Sequence, residues 1–207
     1  MTKDGMPATS VDTRYFDQLF QANADPWAFR QRWYEQRKRA MTLAALPRPH
    51  YRAIYEPGCA NGELSAELAT RCDRLVCSDA ASAAVSLAQA RLQGFVHAEV
   101  HQSRLPGDWP EDCFDLIVLS ELGYYLNRAD WLHLIADARQ SLAPDGQLLA
   151  CHWRPPIENC PQSAEQVHEL LDEHLHLPRL LQYRDADFML DLWGRDSRSV
   201  ATLEGLR

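Results

Sequence analysis

Ile54-Tyr55-Glu56-Pro57-Gly58-Cys59-Ala60-Asn61-Gly62 joins an apolar lead-in to an acid and then to a glycine-bearing loop, and a helical pattern opens at Glu63-Leu64-Ser65-Ala66. That order describes a buried parallel strand stopping at a ligand site, with a helix N-terminus facing the same point. Glycines suit the loop because a bound nucleoside must lie against bare backbone, and Cβ atoms would hold it off.

Strands and helices alternate downstream of the loop. Ala53–Glu56 is strand one, followed by a helix over about residues 63–70 with Leu64 and Leu68 inward. Leu75–Asp79 is a second strand ending in an acid, then comes a helix with Val85, Ala88 and Leu92 on one face, then a third strand near residues 95–100. Phe114-Asp115-Leu116-Ile117-Val118-Leu119-Ser120 is nearly continuous in apolar residues, as a strand covered on both faces should be. A helix from about Asn127 presents Trp131, Leu134, Ile135, Ala138 and Leu142; Pro144-Asp145-Gly146 reads as a turn, and Gln147–His152 as strand five. Ser163 with Gln166 forms a capping box for a helix to about Leu175. Two closing strands, about 179–184 and 188–194, flank the hairpin-like Asp185-Ala186-Asp187, and residues 196–207 read as an exposed tail.

Upstream, residues 1–10 read as a frayed tail and 11–23 as a helix with Val11, Tyr15, Phe16, Leu19 and Phe20 at helical spacing. Asp25-Pro26 offers an N-cap and a proline at the first helical position, so a second helix is expected from about Trp27 to Leu46. Tyr34, Arg37 and Lys38 share one face of it, a stripe that is either solvated or aimed over the glycine loop. The whole reads as one α/β domain over 1–207, with an N-terminal helical cap at 1–50 and a Rossmann-like core at 51–195. That core is a seven-stranded, mostly parallel sheet with helices on both faces and an antiparallel C-terminal strand.

Composition narrows the partners. A net charge of −8 gives no electrostatic support to binding nucleic acid. No apolar run approaches the ~18 residues of a membrane span, and Met1-Thr2-Lys3-Asp4-Gly5 opens no apolar signal core, so a cytoplasmic protein is expected. Cys59, Cys72, Cys77, Cys113, Cys151 and Cys160 form no CxxC pair and are expected to be free thiols. His168, Glu169 and His174 lack the HExxH spacing, and no metal site is expected.

A glycine loop after strand one can hold a dinucleotide or S-adenosylmethionine. A dinucleotide fingerprint requires GxGxxG, whereas Gly58 and Gly62 give GxxxG with Ala60 between them. Glu56 would repel a pyrophosphate but suits a ligand with a free ammonium. Asp79, at the end of strand two, can take ribose hydroxyls in either class.

Glu56-Pro57-Gly58-Cys59-Ala60-Asn61-Gly62 resembles the first motif of class I S-adenosylmethionine-dependent methyltransferases. Asp79, Phe114-Asp115-Leu116-Ile117 and Leu142-Ala143-Pro144-Asp145-Gly146 match the later motifs in order. Asp25-Pro26-Trp27, Trp33-Tyr34-Glu35 with Lys38, Ser120-Glu121 with Tyr124-Tyr125-Leu126, and His152-Trp153 are similar to the NodS-like group. That group is related to the nodulation N-methyltransferase of de-N-acetylated chitooligosaccharides, and the resemblance covers roughly residues 15–175. Two departures stand out: Ala60 replaces a usual glycine, which is tolerable where φ stays below zero, and Asn159–Ser163 differs from the group pattern.

By position, the resemblance implies that Gly58, Cys59, Ala60 and Gly62 line the methionine and ribose portions of the cofactor while Glu56 steers its amino group. It places Asp79 on the ribose, Ala80 beside the adenine, and Ser103 and Arg104 at the adenine edge. Ser120 and Glu121 form the floor beneath the sulfonium, and Tyr34, Arg37 and Lys38 descend onto the carboxylate. The product is then S-adenosylhomocysteine. Transfer needs an acceptor lone pair held in line with the methyl group, and an amine must arrive uncharged. Glu121 and His152, each following a central strand, are the candidate proton acceptors; Tyr124, counted with them as a candidate catalytic residue, is with Tyr125 and Trp153 also a candidate wall. The expected function is methyl transfer to a small-molecule amine, an amino sugar among the possibilities, by a bacterial monomer or homodimer. The alternatives are a nicotinamide-dependent oxidoreductase and a non-catalytic S-adenosylmethionine-binding protein.

Overall fold

The computed structural model describes residues 9–207. Its centre is a seven-stranded sheet in the order β3-β2-β1-β4-β5-β7-β6. These strands are β1 (Tyr51–Pro57), β2 (Cys72–Asp79), β3 (Ala98–Gln102), β4 (Phe114–Ser120), β5 (Leu142–Trp153), β6 (Arg179–Arg184) and β7 (Phe188–Gly194). The first five run parallel, while β7 is antiparallel to both β5 and β6. β1 and β4 are the central pair. The apolar run of β4 is buried from Phe114 to Leu119, which requires cover on both faces.

The helices supply that cover. α1 (Thr13–Ala22) and α2 (Trp33–Ala45) precede the sheet; α3 (Glu63–Ala69), α4 (Ser82–Leu92), α5 (Arg128–Ser141) and α6 (Ala164–His174) fall between strands, and α7 (Val200–Leu203) ends the chain. One apolar cluster, with Ile54, Leu68, Leu75, Leu116 and Leu190, lies on one side of the sheet. A second, with Tyr55, Ile117, Trp131, Ile135, Leu148 and Trp193, lies on the other. Asn127 caps α5 by accepting the Ala129 and Asp130 N–H groups, and Ser163 with Gln166 forms the capping box of α6. All six cysteines are free, and five are buried. No helix among the described residues is long and apolar enough to cross a membrane.

Several sequence expectations are corrected. The second helix begins at Trp33, not Trp27. Ala28 has a φ of +56°, which interrupts helical continuity, and the Asp25 carboxylate instead accepts the Phe29 and Arg30 N–H groups in a local turn. β3 starts at Ala98, because 92–97 close a turn in which the Phe95 carbonyl accepts the Ala98 N–H. Pro144–Gly146 is not a separate turn but an excursion within β5: pairing jumps from Phe114–Leu142 to Leu116–Gln147. Of the expected frayed tail, residues 1–8 lie outside the described residues. Ser10 is held, its hydroxyl accepting the Asn127 N–H at 2.8 Å. The exposed C-terminus carries the short α7.

Candidate active site

The first five strands put their C-terminal ends on one edge of the sheet, and there the loop after β1 folds over β2. Gly58 and Cys59 both donate their N–H to the Ser78 carbonyl, at 2.7 and 3.0 Å. Gly58 and Gly62 have φ of +74° and +79°, where a Cβ is strained, so these two positions require glycine. Ala60 departs from its expectation: its φ is +52°, not negative. The neighbouring Asp79 offsets part of that strain by accepting the Ala60 N–H at 3.0 Å, while its other oxygen takes the Ala81 N–H at 2.9 Å. Each oxygen keeps lone-pair capacity for a further donor.

Glu56 is buried beneath this loop, with no cation near it among the described residues; the Cys77 thiol stands 3.7 Å from its carboxyl. Burial pushes its carboxyl up to about 8. Asp79 is also raised by burial, against the pull of its backbone donors.

Beside the loop lies a cleft lined by Glu35, Lys38, Glu56, Gly58, Asn61 and Glu121, among others. Lys38 crosses it. Its ammonium lies 2.7 Å from Glu121 Oε1 and 3.0 Å from Glu35 Oε2. Burial alone would lower the ammonium, but the two carboxylates more than offset it and hold it above its ordinary value. Glu121 sits just past β4 with a φ of +55°. Its second oxygen accepts the Tyr124 hydroxyl and, at 3.2 Å, the Trp153 N–H. Three donors therefore meet a carboxylate with about four acceptor positions, and one is left open.

The cap closes the edge from above. Val11 N–H donates to the Tyr125 carbonyl, and Asp17 accepts the Ser82 N–H at the start of α4. Asn61 Nδ2 reaches the Ala24 carbonyl and Asp25, while Asn61 Oδ1, the Tyr34 hydroxyl and Ser65 Oγ are buried without partners among the described residues.

The remaining expected site residues divide. Gly58, Cys59, Ala60, Ser120, Glu121 and Lys38 line the cleft, and Gly62 caps α3 at its side. Tyr34 packs edge-on against Trp153 and Phe188. The Ala80 carbonyl accepts the Gln102 side chain, and Ser103 N–H donates to the Asp79 carbonyl, so both stand next to Asp79. Arg104 is exposed and donates its N–H to Asp108. Arg37 is a correction: one helical step from Lys38, it turns away to Asp185 at 2.9 Å and the Tyr183 hydroxyl at 2.6 Å. His152 is another, being fully buried behind the turn at Gly123, whose N–H it accepts at 3.0 Å. Burial, and then the adjoining His168, push its imidazole well below the usual range. Tyr124 is buried rather than a wall, and touches the site through Glu121. Glu35 and Asn61 stand in the quoted motifs but were given no site role; Glu35 stands three residues before Lys38 on α2, a spacing that could have assigned it one.

Residues 16–181 match the family model for nodulation protein S (NodS). The chain belongs to the NodS family. Nodulation protein S of Rhizobium tropici is 30% identical over 171 residues, covering 79% of this chain and 71% of that protein. The N-methyltransferase NodS from Bradyrhizobium japonicum WM9, solved in complex with S-adenosyl-L-homocysteine, superposes with a TM-score of 0.80 at 25% identity, over 88% of this chain and 97% of that one. A candidate methyltransferase from Pseudomonas syringae shares 59% identity with a TM-score of 0.72, over 79% of this chain and all of that one. This NodS-family chain is a class I S-adenosylmethionine-dependent methyltransferase, and the oxidoreductase alternative falls.

Proposed function

We propose that the chain methylates the nitrogen of a small-molecule amine, with an amino sugar as the leading acceptor class. The observation that carries this reading is the open acceptor position on Glu121, at the floor of a cleft between the glycine loop and Lys38. A carboxylate there can take an N–H of a neutral amine and turn its lone pair inward. The NodS of B. japonicum is an N-methyltransferase, which supports the same acceptor class.

The residues present fit S-adenosylmethionine. Two left-handed glycines leave backbone bare, and the orphaned Tyr34 hydroxyl and Asn61 Oδ1 await donors or acceptors. Among the described residues Glu56 has no cation, which an ammonium would supply, and Asp79 can accept ribose hydroxyls. When bound, the cofactor supplies an activated methyl group. The protein's work is then orientation, worth on the order of 7–11 kcal/mol when reactants are aligned. Glu121 orients the amine, while Lys38 offsets part of the negative charge of Glu35 and Glu121 and so weakens their hold on the amine as an ammonium. The acceptor is taken to be a cytoplasmic small molecule and not a nucleic acid, as the net charge of −8 supports.

Labelled methyl transfer to a panel of amino sugars, alkylamines and phenols tests this. Turnover is expected on amines only, and Glu121→Gln should lower kcat roughly a hundredfold, the cost of a misplaced reactant, with S-adenosylhomocysteine affinity within about twofold. Turnover confined to phenols, or an unimpaired Gln variant, would overturn the reading.

A further inference from the structure

Behind the turn that carries Glu121 and Tyr124, three buried titratable side chains run in a line away from the cleft. Gly123 N–H donates to His152 Nε2 at 3.0 Å, His152 Nδ1 lies 2.9 Å from His168 Nε2, and His168 Nδ1 lies 2.6 Å from Asp191 Oδ2. All three side chains are 0–2% exposed. They come from β5, α6 and β7. In the β5–β7 ladder His152 pairs with Met189 and Ala150 with Asp191, which sets His152 and Asp191 on the same face, under α6.

The proton order in this line follows from its first donor. A backbone N–H can only donate, so His152 Nε2 must be bare and its proton must sit on Nδ1. That proton faces His168 Nε2, which must accept it, so His168 carries its own proton on Nδ1 and gives it to Asp191. Every link is satisfied when Asp191 Oδ2 accepts from His168, and Arg179 stands 3.9 Å from its other oxygen. A single carboxylate on β7 thereby dictates which ring nitrogen faces Gly123.

Gly123 is the pivot of the catalytic-side turn. It begins the 3-10 turn Gly123–Tyr125, and its carbonyl accepts Gln162 Nε2 at 3.3 Å. The turn packs directly on α5 and α6, since a Cβ at Gly123 would stand 2.5 Å from Val167 and 3.0 Å from Trp131. Glu121 and Tyr124, bonded to each other, leave from either side of it.

Building on the acceptor-site reading of Glu121, we infer that His152, His168 and Asp191 are positioning residues for methyl transfer. They seat the Glu121–Tyr124 turn from behind the sheet by presenting a bare imidazole nitrogen to Gly123.

Nitrogen-15 NMR of the full-length chain tests the proton order directly, without need of turnover. Both His152 and His168 should show a protonated Nδ1 and a bare Nε2; an Nε2-protonated His152 would overturn the inference. Two variants test the consequence. His152→Leu keeps bulk but removes the acceptor, and should lower kcat at least tenfold with S-adenosylhomocysteine affinity within twofold. His152→Gln, whose Oε1 can take the place of Nε2, should recover kcat to within threefold of the parent. A folded Leu variant with kcat within twofold of the parent, a Gln variant no better than Leu, or parallel loss of kcat and cofactor affinity would each overturn it. Should the Leu variant fail to fold, the parent spectrum and the Gln variant decide. If the parent methylates no amine, the acceptor reading fails by itself. The positioning of the turn is then read from the amide shifts of residues 121–125, which must move in the Leu variant for the inference to stand.

Discussion

Glu56 is a carboxyl group placed where its charge costs the free protein. Its carboxyl is raised to about 8 by burial, against an ordinary 4.5. Between those values the folded state holds a proton that the unfolded chain has released. Stability contributed by this group is therefore complete below about pH 4.5 and falls as pH rises toward 8, by roughly 1.4 kcal/mol per unit at the steepest. Thermal melts of the ligand-free protein from pH 5 to 8 should show this decline, and Glu56→Gln should flatten it. An ammonium-bearing ligand reverses the economy, since pairing favours the ionised form. Binding of S-adenosylhomocysteine should thus release close to one proton at pH 7, measured by calorimetry in buffers of different ionisation enthalpy. No release, or an unchanged pH slope in the Gln variant, would remove Glu56 from the ammonium site. Ala60 is a second residue-scale case. Its φ of +52° costs an L-residue about 1–2 kcal/mol, and glycine would recover this less about 0.4–1 kcal/mol of added chain entropy. Ala60→Gly should raise the melting temperature by up to about 6 °C, at about 2–4 °C per kcal/mol for a chain of this size. A lower melting temperature would mean that the methyl group packs better than its backbone suggests.

At the scale of elements, the strap made by α2 shows what periodicity reveals and what it leaves open. The apolar strands, the glycine loop and the capping box of α6 were legible because each rests on local chemistry: alternation, bare backbone, a side chain reaching its own helix end. Arg37 and Lys38 were not separable in the same way. Both lie on one flank of α2, but a 100° step sends Lys38 into the cleft and Arg37 to Asp185 in the β6–β7 turn. Only tertiary placement decides between them. His152 misled for a related reason: the end of a central strand faces both the ligand edge and the packed helix layer, and its partners His168 and Asp191 are remote in sequence. The start of α2 was misjudged because nothing in Trp27-Ala28-Phe29 announces a left-handed alanine. These corrections carry opposite expectations for two neighbours. Arg37→Ala should leave S-adenosylhomocysteine affinity within about twofold, whereas Lys38→Ala strands Glu35 and Glu121 together and should destabilise by roughly 3–5 kcal/mol. Equal losses of affinity in titrations of the two would show that Arg37 reaches the cofactor after all.

For the whole molecule, the question is whether cap and sheet unfold together. The cap supplies Lys38 to the cleft, Asp17 to the start of α4, and the Val11 N–H to the loop after β4. Phe20 is buried against Ala81 and Ala84, so part of the cap's apolar surface is core that the sheet layer completes. Such shared burial argues for one cooperative unit across residues 9–207. A ligand held between the two parts then stabilises both. At a hundredfold excess over its Kd, S-adenosylhomocysteine contributes about 2.7 kcal/mol, which for a chain of this length corresponds to about 5–10 °C. Calorimetric melts should show one transition that moves upward as a whole with this ligand and stays put with NAD. Two transitions, with only the upper one responding, would mean that the cap opens independently and that Lys38 belongs to a mobile cover instead of the site's fixed wall.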